Sequence, residues 1–149
     1  MTDLTLPIPS TPQMMEALLE LEAGGPGPAT RGLAKAALHA GLPRPALSKY
    51  LVEVVRAARE LRTHLRTLPP DFSLVVAILT PDQALAYLYE VEEDLAGPVG
   101  VIMKKHWSGL DATDRAYLVS STLDAARALR EQWQSQIGTI RWDLTAVYA

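Results

Sequence analysis

From residue 47 to residue 68 an apolar side chain recurs at alternating steps of four and three: Leu47, Leu51, Val54, Ala58, Leu61, Leu65 and Leu68. That spacing keeps one narrow stripe on one side of an α-helix for about three heptads. Pro45 suits a first helical position, and Pro69 with Pro70 closes the run. The spacing therefore predicts one long helix over 45–68, with a seam that fits a single partner helix. We expect that partner to be the same helix of a second copy, making the protein a homo-oligomer, in the simplest case a dimer. The alternative is another helix of the same chain.

The same region is basic inside an acidic protein. Residues 31–66 carry Arg31, Lys35, Arg44, Lys49, Arg56, Arg59, Arg62 and Arg66 against only Glu53 and Glu60, while the whole chain has a net charge of −3. A local excess of this kind suits nucleic acid or an acidic protein surface. Its bland reading is the solvated face of an amphipathic helix.

Elsewhere, Pro12 and the glycines at 24 and 25 bound a helix over Thr11–Ala23. "GGPGP" reads as a linker, and Thr30 as the cap of a short helix ending at Gly41. Past Pro70 the pattern changes. "FSLVVAIL", "PVGVIMKKHW", "RAYLVS" and "TIRWDLTAVY" read as strands. Thr80 with Gln83 and Ser121 with Asp124 read as capping boxes for helices over 81–96 and 121–136. Sliding the chain by 41 residues brings Thr80 onto Ser121, Leu88 onto Leu129 and Gly97 onto Gly138. The expected fold is α+β: a helical region, 1–70, followed by a ferredoxin-like βαββαβ domain, 71–149. The alternative is an all-α bundle, with "RAYLVSSTL" extending the last helix back to Asp111.

Where the first two readings meet stands "AALHAGLPRPALSKYL", residues 36–51. Ala37 lies four before Gly41, with Ala36 and Ala40 beside it on the inward face; Leu42 follows the turn, and Leu47 and Tyr50 are spaced to plug a helical corner from the second helix. Over about twenty residues this resembles the helix-turn-helix motif of bacterial transcription regulators. The resemblance implies that Arg44, Ser48, Lys49 and Val52 face the major groove of double-stranded DNA, with Thr30, Arg31 and Lys35 on phosphates. The domain order is similar to that of the leucine-responsive regulator family, in which the second domain oligomerises and binds effectors. The third helix here is much longer than that family's, and no effector residue is legible.

Zero cysteines exclude thiolate chemistry, disulfides and cysteine-based metal sites. His39, His64 and His106 lack paired spacing, so no metal or other cofactor is expected. "EVEEDL", 90–95, reads as a solvated face, and Ser120 and Ser121 have no base partner. Trp107, Trp133 and Trp142 read as core aromatics. No membrane span and no signal peptide are legible, and the cytoplasm is the expected compartment. The sequence reading is thus a non-enzymatic, dimeric DNA-binding protein, a transcriptional regulator. The alternative is an assembly module whose basic helix docks on an acidic partner.

Overall fold

The computed structural model describes residues 9–66 and 79–134. Its elements are α1 (Thr11–Ala23), α2 (Pro28–His39), a 3-10 turn (Arg44–Ala46), α3 (Leu47–Arg66), α4 (Pro81–Glu92), α5 (Pro98–Trp107) and α6 (Ala112–Gln134). No strand occurs among the described residues. The ferredoxin-like βαββαβ expectation is overturned, and the all-α alternative fits.

The corrections have physical causes. "PVGVIMKKHW" is α5, because its start is fixed from a distance: the Glu90 carboxylate accepts from the backbone N–H groups of Val99 (3.0 Å) and Gly100 (2.9 Å). A helix anchored by a side chain nine residues upstream carries no local cap to read. Gly97, expected to stop α4, instead begins α5. The chain leaves α4 earlier, at Glu92, and turns through Asp94 at φ 53°. "RAYLVS" lies inside α6, whose first turn is capped by Asp111 Oδ1 accepting from Asp114 N at 2.8 Å. Ser121 and Asp124 are consequently mid-helix. "FSLVVAIL" (apart from Leu79) and "TIRWDLTAVY" fall outside the described residues.

The internal echo is real but has a different period. Gln13, Leu18, Glu20, Glu22, Gly27, Pro28 and Lys35 recur seventy residues later as Gln83, Leu88, Glu90, Glu92, Gly97, Pro98 and Lys105. From Gly41 onward the offset is sixty-eight, and "AARELR" at 57–62 returns as "AARALR" at 125–130. The change in offset sits in the second helix of each unit: α2 has 12 residues and α5 has 10. Both units share their local devices. Ser10 caps α1 by accepting from Gln13 N, as Thr80 caps α4 from Gln83 N. Gly25 N donates to Glu20 O as Leu95 N donates to Glu90 O. Arg62 pairs with Glu22 as Arg130 pairs with Glu92.

The two three-helix units close on one another. In α1, Pro12, Met14, Met15, Glu16, Ala17, Leu18 and Glu20 are buried; in α4, the residues seventy later are buried at every one of these positions. Helices buried nearly all round are central, and α1 packs on α4 more extensively than any other pair. The outer contacts are reciprocal, α3 touching α4 and α6 touching α1. Such an exchange is the signature of a two-fold arrangement rather than a stacked repeat. The main core joins Met14, Met15, Leu18, Leu61, Leu85, Leu88, Met103 and Leu129 from both units.

Candidate nucleic-acid interface

The α2–α3 corner turns at Gly41, as its sequence implies. Gly41 takes φ 105°, and Leu42 N returns to Ala37 O at 3.0 Å, closing α2 with a left-handed turn that favours glycine. Leu42 and Tyr50 plug the corner, packed with Leu33, Ala37 and Val54 in a second apolar cluster. Burial pushes the Tyr50 phenol up to about 12. Ala36 and Ala40, expected to face inward, are exposed; the inward stripe runs Ala29, Leu33, Ala37 at four-residue steps.

Outside the corner, Arg44, Ser48, Lys49 and Val52 are exposed, Val52 at 68%. Arg31 and Lys35 are exposed on α2. Thr30 differs: it is buried, and both its backbone N–H and its hydroxyl donate to Glu20 Oε1 at 2.9 Å. Glu20 also accepts from Gly27 N and Ala29 N at 3.2 and 2.9 Å. The start of α2, where a phosphate could otherwise sit, is filled by an internal carboxylate.

Some of the basic charge is spent inside the chain. Arg56 bonds Glu53 (2.5 Å) and Glu60 (3.0 Å), and these hydrogen bonds, Glu53's first, raise its guanidinium above the ordinary range. Arg62 is held likewise by Glu22. What distinguishes the corner is composition: from Ala23 to Val52 there are Arg31, Lys35, Arg44 and Lys49 and no carboxylate. The equivalent second corner carries both signs, with Asp111 and Asp114 exposed alongside Lys104, Lys105 and Arg115.

Of the seam, Val54, Ala58, Leu61 and Leu65 are buried within the chain, while Leu47 and Leu51 are half-buried against the corner cluster. Leu68 lies outside the described residues. His39, His64 and His106 are exposed on three different helices, and among the described residues no cluster of His, Cys, Asp or Glu could hold a metal ion. Trp107 is half-buried against the main core. No described helix is long and apolar enough to cross a membrane.

The sequence reading missed the buried carboxyls. Glu16, Glu20, Asp82 and Glu90 are all 5% exposed or less. Glu90 is a helix cap, not part of a solvated face. A signal existed: a glutamate followed seven residues on by Gly-Pro occurs twice, at 20–28 and at 90–98. Glu16 is the odd member. It accepts no hydrogen bond and faces Glu90; burial first, then that neighbour, hold its pKa at about 10.

No protein-family model, no curated protein and no solved structure matches this chain.

Proposed function

We propose that the chain binds double-stranded DNA through the α2–α3 corner and acts as a transcriptional regulator rather than an enzyme. The observation carrying this reading is the carboxylate-free stretch of chain from Ala23 to Val52, on a corner whose apolar side is packed and whose exposed side chains include Arg31, Lys35, Arg44 and Lys49. Arg44 and Lys49 reach guanine edges or phosphates, Ser48 and Val52 line the same face, and Arg31 and Lys35 take phosphates. Thr30 is no part of this surface, because Glu20 holds its hydroxyl. The second corner interleaves Asp111 and Asp114 with its basic residues, so we assign one reading surface to each chain. Recognition of a two-fold DNA site then requires a second copy of the protein.

The test is fluorescence anisotropy of a labelled random-sequence duplex at about 50 and about 200 mM salt, a range over which a protein making several phosphate contacts loses most of its affinity. Saturable binding that weakens steeply with salt supports the reading. Absence of binding at the lower salt assigns the basic face to an acidic protein partner instead.

A further inference from the structure

We propose that the groove between α5 and the first half of α6 is a binding site for a planar aromatic carboxylate. It is an open groove of about 580 Å³, lined by Trp107, Arg115, Val119, Ser120, Leu123 and Arg127, with Ala116 at its side. That volume suits a small molecule. The floor is apolar, and Leu123 is 8% exposed. Two guanidinium groups stand at the walls, and no carboxylate lines the groove.

The groove differs from its repeat partner at the positions that make it a site. With the offset of sixty-eight, Arg115 stands where the first unit has Leu47, and Ser120 where it has Val52; Val119, Leu123 and Arg127 match Leu51, Val55 and Arg59. In the first unit Leu47 and Leu51 cover the corner cluster. In the second, an arginine replaces the covering leucine while the apolar floor stays.

Arg115 is held for this role. Its Nε donates to the carbonyls of Trp107 (3.0 Å) and Leu110 (2.8 Å), at the end of α5. Its terminal nitrogens have no acceptor among the described residues. Arg127 has an exposed partner, Asp124, at 3.2 Å. Asp124 is 73% exposed, and so open a pair yields to a better-placed anion. A guanidinium matches a carboxylate with two parallel hydrogen bonds and stacks on aromatic faces, as does the Trp107 indole. An aromatic body with one carboxylate satisfies floor and wall together. This inference stands apart from the DNA reading.

The experiment is calorimetric titration of the full chain, without nucleic acid, with 2-naphthoate and with the uncharged 2-naphthamide. A Kd on the order of 100 µM is expected for naphthoate, from the free energy available to a ligand of this size. The carboxamide should bind about tenfold more weakly, the loss of one charged hydrogen-bond pair. Arg115→Gln with Arg127→Gln should abolish that preference. Ser120→Trp, at an exposed position, should fill the groove and remove binding, with the thermal midpoint confirming that each variant folds. Equal affinity for acid and amide, naphthoate binding unchanged in either variant, or no saturation with the wild-type chain would each overturn the proposal.

Discussion

The Glu16 carboxyl of α1 rests against the Glu90 carboxylate of α4, both out of water across the contact between the two units. Gly97 shows how close they come: a Cβ built there would lie 2.5 Å from Glu16 Oε1 and 2.6 Å from Glu90 Oε1. Glu90 is satisfied by the amides of α5; Glu16 keeps its proton because it is cut off from water and then because Glu90 lies beside it.

This makes stability pH-dependent. Glu16 titrates at about 10 when folded, against 4.5 for a free glutamate. The folded state therefore binds the extra proton between these values, and stability falls as pH rises from about 4.5 towards 10. At pH 7 the cost is about 3 kcal/mol. Glu16→Gln, neutral at every pH, should raise stability at pH 8 by about 4–5 kcal/mol and flatten the profile. Urea unfolding at pH 5, 7 and 9 measures it; parallel curves for the two proteins would count against the protonated carboxyl.

Glycine at 97 is required by contact, not by its backbone angle. Gly97→Ala drives a methyl into Glu16 and Glu90 together, whereas Gly27→Ala meets only Glu20. We expect Gly97→Ala to cost about 2–3 kcal/mol and Gly27→Ala less, as overpacking does. Gly109, with nothing within 4 Å, should accept alanine almost silently. Three thermal midpoints in that order check the geometry; a uniform response would reject it.

Glu20 and Glu90 should act as the anchors of α2 and α5. Glu20→Ala removes the acceptor for three backbone N–H groups and one hydroxyl, at about 2–4 kcal/mol. Hydrogen exchange should show the loss first at Ala29 and Thr30. In Glu90→Ala it should begin at Val99 and Gly100 instead. Opening spread evenly over the whole chain would mean that neither carboxylate is a local cap.

Leu61 distinguishes a core seam from a seam between copies. It is 1% exposed within the single chain, among Met14, Met15 and Leu85. Leu61→Asp should therefore abolish cooperative unfolding, since an unpaired buried charge costs several kcal/mol. A variant that kept its helicity and its melting transition while changing only its sedimentation would show that this position faces a second copy.

Arg44→Ala with Lys49→Ala should leave the melting temperature unchanged, because both side chains are exposed. If both meet phosphate, the salt slope of duplex binding should fall by about two. An unchanged slope and affinity would remove the corner from the interface.

Local signals were legible wherever the structure uses local devices. The bounds of α1 follow from Pro12 and the glycine pair, and the Thr80–Gln83 capping box is formed. Of the expected plug, Tyr50 is buried as a helical corner requires, whereas Leu47 is half-buried and Leu42 takes the inner place. What escaped was long-range. The start of α5 depends on Glu90, and the apolar run after Pro98 imitates a strand when that carboxylate is ignored. Ser121 looks like a cap only if the helix has not already begun at Ala112. The repeat hid behind its own slip: one fixed offset can match Glu20 with Glu90 or Leu61 with Leu129, never both. Among the proposed DNA contacts, Thr30 alone is turned inward, and its partner sits ten residues back on another helix.

Joining the two units in one chain also frees them from obligatory sameness. In a homodimer built from one such unit, every substitution would arrive twice, once on each side of the axis. A glutamate at position 16 would then bring a second uncompensated carboxyl into the same interior. Here its counterpart is Ala86, so the burden falls once. The same licence lets one corner be free of carboxylates while the other carries both signs, and lets a leucine become an arginine at one groove alone. Heredity can edit either half of this molecule without consulting the other.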